Sequence, residues 1–157
     1  GRADEVLVSE FLRDPYFRKR PPKATGREAF GEVFVTRFAR AARSRRLRGA
    51  DLIATATALT ASSIADQYQR FLIPKLGLDE VLLAGGGARN PTLTGMLVDR
   101  LAPIPVRPVE SIGVDGDALE AIGFAILAVA HLDGVRFDLS QITGARRPVR
   151  LGVLASP

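Results

Sequence analysis

Cysteine and tryptophan are absent from this 157-residue sequence, and histidine and methionine occur once each. Without cysteine there is no disulfide scaffold, no thiol nucleophile and no zinc site built on thiolates, and a reducing, cytoplasmic setting fits. The single histidine, His131, leaves no imidazole pair for a metal, and a Ser-His-Asp triad would have to be built on that one residue, so hydrolase chemistry is disfavoured. Long apolar runs are also missing. The longest, Ala121 to Ala130, falls far short of the roughly 20 residues that cross a bilayer and reads as a buried helix, so no membrane partner is expected. The opening Gly1-Arg2-Ala3-Asp4 shows no charged n-region, apolar h-region and cleavage site, and on that reading the chain is not secreted.

What is present suits one ordinary domain, able to bury roughly two-thirds of its unfolded surface. Hydrophobic residues make up 46% and charged residues 25%. The net charge is +5 and the pI about 10.4, which raises nucleic acid as a partner. The cations are nearly all arginine beside abundant Ala, Gly and Val, as a GC-rich genome produces without selection for binding. The densest run, Arg37, Arg40, Arg43, Arg45, Arg46 and Arg48, holds only Phe38 as an aromatic and no recognisable module motif, so a solvated helix end is preferred over a nucleic-acid face.

The chain reads in three sections: a helical segment over 1–76, a βαβα unit over 77–132 and an irregular tail over 133–157. Val6, Leu7, Phe11 and Leu12 predict a short helix ended by Asp14-Pro15, and residues 14–26 are too rich in proline for regular structure. Thr25 with Glu28 reads as a capping box opening a helix with Phe30, Val33, Phe34 and Phe38. A long helix is predicted from Asp51 as N-cap to Pro74, with Ile53, Ala56, Thr60, Ile64, Tyr68 and Phe71 on its apolar face. Glu80–Ala84 reads as a buried parallel strand, Asn90-Pro91 as the start of a helix through Met96, Leu97 and Leu101, and Pro105–Val109 as a second strand. Asp117 with Glu120 reads as another capping box, for an apolar helix to about Leu132 with His131 as its C-terminal cap.

Three motifs could carry chemistry. Gly85-Gly86-Gly87-Ala88-Arg89-Asn90-Pro91 joins a strand to a helix. Three glycines let a ligand approach the backbone, and the helix N-terminus would offer free N–H groups to a phosphate or purine. A tight turn explains one glycine but hardly three, and the pattern matches neither a P-loop nor a dinucleotide fingerprint. In Pro21-Pro22-Lys23-Ala24-Thr25-Gly26-Arg27-Glu28, Lys23 and Arg27 could grip an anion, or could simply lie on a solvated turn. Gly113-Val114-Asp115-Gly116-Asp117-Ala118-Leu119-Glu120 gathers carboxylates without the spacing of a calcium loop, and no metal site is expected.

These motifs in this order resemble the anhydro-N-acetylmuramic acid kinases of bacterial cell-wall recycling, within the actin-like/sugar kinase/Hsp70 ATPase superfamily. The likeness extends to Asp14-Pro15-Tyr16-Phe17, Ala54-Thr55-Ala56-Thr57-Ala58-Leu59-Thr60-Ala61, Phe124-Ala125 and Thr143-Gly144-Ala145, and departs at Ala24, where the family usually carries serine. The resemblance implies an α/β fold: the C-terminal half-lobe of an actin-like, ribonuclease H-like ATPase, with few parallel strands packed by several helices. It implies an ATP-dependent kinase, with Mg²⁺, giving N-acetylmuramate 6-phosphate. Gly85, Gly86, Gly87 and Asn90 would contact adenosine and Glu120 would lie near the sugar side, with Lys23 and Arg27, read above as a possible anion grip, as further substrate-binding candidates. The catalytic base would lie outside this chain, leaving it inactive alone. Its partners would be the N-terminal part of the same enzyme and, as a homodimer, a second copy. The alternative from the residues is a non-catalytic basic module binding nucleic acid or a protein.

Overall fold

The computed structural model describes residues 1–155. The fold is mixed α/β and mostly helical, with a two-stranded parallel sheet among the described residues. Contacts divide the chain into two compact units, one of residues 1–20 and 25–108, the other of residues 21–24 and 109–157. The division after Pro108 therefore falls inside the section read from sequence as one βαβα unit.

In the first unit, α1 (Glu5–Phe11) starts where the Asp4 carboxylate accepts the Leu7 N–H at 2.9 Å, and it buries Leu7, Val8 and Phe11. Asp14-Pro15 does not merely end this helix. The Asp14 side chain accepts the Tyr16 N–H and caps a single turn, α2 (Pro15–Arg18), in which proline occupies the first-turn position that needs no donor. Proline density thus sits beside one helical turn inside the stretch expected to be irregular.

The capping box at Thr25 is also corrected. The N-cap of α3 (Arg27–Phe30) is Gly26, whose N–H donates to the Glu28 carboxylate at 2.7 Å, so only the returning half of the box forms. At Gly31 a Cβ would meet the Arg27 carbonyl at 2.2 Å, and the chain breaks there before α4 (Glu32–Ser44). The expected single helix is two.

The long helix, α5 (Gly49–Gln67), starts two residues before Asp51 and buries Ala54, Thr55, Ala58, Leu59, Ala61 and Ala65. Ile53, expected inside, is 66% exposed. Small side chains let neighbouring helices come close, so the buried seam follows alanine rather than bulk. One end of the seam packs with Leu7, Val8, Phe11, Phe38 and Ala42; the other packs with Val81, Leu97 and Leu101. Thr55 is fully buried and satisfied, accepting the Asp4 N–H at 3.1 Å and donating to the Asp51 carbonyl at 2.6 Å. Pro74 does not end the helical path. A π-helical turn, Tyr68–Leu72, absorbs the misfit and α6 (Ile73–Leu76) takes Pro74 in its first turn, so the stop is Gly77 at φ +60°.

Strand β1 (Val81–Leu83) pairs in parallel with β2 (Val106–Pro108), Val81 opposite Val106, around α7 (Pro91–Leu101). The βαβ reading holds, but only Val81 of the first strand is buried. Arg100 ties three helices together, donating to Ser62 Oγ at 2.9 Å and to the Glu5 carboxylate at 3.2 Å.

In the second unit a 3₁₀ turn, Val109–Ile112, leads to α8 (Leu119–Leu132) and a short α9 (Ser140–Thr143). The second predicted capping box is absent: Ala118 is the N-cap of α8 and makes no side-chain cap bond, while Asp115 accepts the Asp117 N–H at 2.9 Å one turn earlier. The expectation that this apolar helix is buried also fails, for α8 has no buried residue. The tail is less irregular than expected, since Phe137 and Val149 form an antiparallel bridge. His131 does not cap its own helix. Its Nδ1–H donates to the Leu151 carbonyl at 2.7 Å, and Arg150 donates to the His131 carbonyl at 2.8 Å, so the ring fastens the tail.

Candidate functional site

The glycine loop follows β1 and leads into α7, the point at which a βαβ unit opens the carboxyl end of its strand to a ligand. Gly85 turns the chain at φ +75°, ψ −173°, a region open in practice only to glycine, and Gly86–Arg89 then form one 3₁₀ turn. Gly86 and Gly87 are different. Neither has positive φ; a Cβ on Gly86 would meet nothing within 4 Å, and one on Gly87 only the Leu93 side chain at an ordinary 3.6 Å. All three glycines are exposed. The turn requires one glycine, and the chain's own packing does not require the other two.

Asn90 is the N-cap expected from sequence, its Oδ1 accepting the N–H groups of Thr92 at 3.1 Å and Leu93 at 3.2 Å. Thr94 donates to the Asn90 carbonyl at 3.0 Å, and Pro91 has no N–H. The free helix-terminal donors expected for a phosphate are therefore occupied from within. What remains at Gly86 and Gly87 is exposed backbone with no side chain of its own.

Of the other sequence candidates, Lys23 and Glu120 belong to the second unit and Arg27 to the first, with the loop. Lys23 is half-buried in the second unit, whereas Arg27 is exposed in the first turn of α3 in the first unit. Glu120 is exposed in the first turn of α8, and without the capping box it has no structural task. Ala24 is exposed. Among the described residues no three His, Asp or Glu side chains gather as a metal site would require. In the basic run, Arg37 pairs with Asp14 at 3.0 Å and lies over the Phe11 and Phe34 rings, while Arg45 reaches Asp4 at 3.5 Å and Glu10 at 3.6 Å. Asp138 has its carboxyl held below the usual range by hydrogen bonds from the Ser140 backbone N–H and hydroxyl, a local turn on the exposed tail.

Sequence reasoning missed a cavity of about 510 Å³ in the first unit, walled by Tyr16, Phe17, Phe30 and Phe34 against Thr60 and Ser63 of α5. Its signal was the density of aromatics between residues 16 and 38. Those rings meet largely edge to face, Tyr16 with Phe30 at 5.2 Å and Phe30 with Phe34 at 5.0 Å.

A model of the anhydro-N-acetylmuramic acid kinase family matches residues 1–157. The chain is 43% identical to an anhydro-N-acetylmuramic acid kinase of Salinibacter ruber, over 100% of its own length and 40% of that relative. With the enzyme of the same name from Caldanaerobacter subterraneus the identity is 39%, over 99% of the chain and 39% of the relative. With that of a Cyanothece strain it is 44%, over 98% and 40%. The chain thus spans about two-fifths of the length of these curated relatives. No helix among the described residues is long and apolar enough to cross a membrane.

Proposed function

The chain belongs to the anhydro-N-acetylmuramic acid kinase family, and from that premise we propose that it is the C-terminal, nucleotide-binding part of an ATP-dependent sugar kinase of peptidoglycan recycling. The whole enzyme converts 1,6-anhydro-N-acetylmuramic acid, ATP and water to N-acetylmuramate 6-phosphate and ADP. Water adds at the anomeric carbon, the 1,6-anhydro bond breaks, and the released 6-oxygen takes the γ-phosphoryl group. The fold is that of an actin-like half-lobe, a reading supported by a parallel βαβ unit whose strand runs straight into the glycine turn.

The observation that carries the site is the pair Gly86 and Gly87, two glycines with ordinary φ and open space where a Cβ would stand. They keep the surface bare so that adenosine can lie against the backbone, while Asn90 holds the start of α7 in place. Phosphates are held elsewhere, since the α7 N-terminus has no donor to spare. Mg²⁺ would come with the ATP and would supply neutralising charge during transfer; among the described residues no three His, Asp or Glu side chains gather to hold it. Glu120, Lys23 and Arg27 are assigned to the sugar side. A basic module for nucleic acid gains no support from Arg37 and Arg45, which are engaged with acids of the same chain.

The test is phosphorylation of 1,6-anhydro-N-acetylmuramic acid. The chain alone is expected to be inactive. Joined to the complementary three-fifths of the Salinibacter ruber relative it is expected to turn over, and Glu120→Gln in that protein to lose activity while keeping ATP affinity. Turnover by the chain alone would overturn the placement of the catalytic base outside it.

A further inference from the structure

Helix α8 carries no charge from Ala121 to Ala130, and none of its residues is buried by the described residues. Phe124 is 72% exposed, Leu132 69%, Ile126 62% and Val129 58%, with Leu119 and Ile122 also open. At 3.6 residues per turn these six side chains sweep about 220° of the helix circumference. A helix apolar over that much of its surface is the interior helix of a larger body or belongs to a membrane. The membrane fails on size, because 14 residues extend only about 21 Å against the roughly 30 Å of a hydrocarbon core. A helix lying in the membrane surface also fails, because it needs a cationic polar face and Ala121–Ala130 offers none.

The chain's own tail covers one side in part. Leu151 to Leu154 run beside Phe124, Leu127 and Ala128, with the His131 bond to Leu151 as the fastener, and leave a groove of about 400 Å³. The rest of α8 is open, and the length of the relatives says what is missing. In the Salinibacter and Caldanaerobacter enzymes the matched region is only 40% and 39% of the polypeptide. We infer that α8, with the groove beside the 151–154 tail, is the docking face for the three-fifths of the kinase polypeptide that relatives carry outside the matched region. The inference rests on those lengths and on the helix surface, not on the reaction proposed above.

The absence of cysteine makes the test clean. Phe124→Cys, Ile126→Cys and Val129→Cys each give this chain its one thiol, any cysteine of the joined part being replaced by serine, with Arg43→Cys on the exposed face of α4 as control. Maleimide labelling is timed in the chain alone and in the chain joined to the complementary part of the Salinibacter ruber relative. Amide exchange of residues 119–132 in the two unsubstituted proteins provides a second measurement. The expected result is at least tenfold slower labelling at 124, 126 and 129 in the joined protein, slower exchange in α8, and no change at 43. A joined protein that melts cooperatively yet labels and exchanges as fast as the chain alone overturns the inference. So does equal protection in the chain alone accompanied by a dimer mass, which would make a second copy the occupant. A joined protein that protects α8 but phosphorylates no anhydro sugar leaves the inference standing and defeats the proposed reaction.

Discussion

Gly85 and Gly86 are adjacent in sequence and opposite in requirement. At φ +75°, ψ −173° Gly85 is held where an L side chain is strained, so Gly85→Ala is expected to cost about 1–3 kcal/mol, read from the urea midpoint. Gly86→Val has ordinary φ and room for its Cβ, so its stability should change by less than about 0.5 kcal/mol. Calorimetry on the joined kinase should nevertheless show ATP affinity falling at least tenfold, because the branched side chain occupies the surface reserved for the nucleotide. Unchanged affinity in a folded variant would reduce the loop to a turn. Three glycines were legible in the sequence as more than a turn needs, but which one the turn uses depends on a backbone angle no composition reveals. Asn90 was legible outright, since an asparagine before proline at a helix start is decided by chemistry within four residues.

At the scale of elements, the alanine seam of α5 decides which face is inside. Ala61 is fully buried where α5 meets α7 and β1, so Ala61→Leu forces a branched side chain into closed space and is expected to destabilise by about 1–3 kcal/mol. Ile53→Ala, on a side chain 66% exposed, should change the stability read from the denaturation midpoint by less than about 0.5 kcal/mol. A reversed order of these two variants would reject the seam. The sequence favoured a face of larger residues because bulk was read as burial; of these Ile53 is exposed, while Ile64 and Tyr68 do pack, half-buried, against the second core cluster. Close helix packing selects small residues instead, and only the positions of α1 and α7 make that visible. Within Ala54–Ala61 five of the eight residues are buried in this seam. The misreading of α8 has another origin. Its apolar composition reads as an interior helix, whereas none of its residues is buried among the described residues.

At the scale of the whole molecule, the sheet of the first unit keeps an open edge. Strand β1 has one neighbour among the described residues, and its other edge presents unpaired N–H and C=O groups beside a half-open Leu82. The chain made alone is therefore expected to self-associate with rising concentration in sedimentation experiments. Leu82→Lys should weaken that association, and joining the complementary polypeptide should abolish it. A strictly monomeric chain at high concentration would count against an open edge here. The same cross-links that close the first unit also set the order in which it can be made. Glu5 lies 95 residues from its partner Arg100, and Asp4 lies 51 from Thr55. At the usual pace of translation, about 5–20 residues per second, α1 leaves the ribosome roughly 5–20 s before the arginine that latches it. The buried partners of Leu7, Val8 and Phe11, namely Phe38, Ala42, Ala58 and Leu59, are all made within that interval, so Arg100 latches helices whose shared core residues are already present.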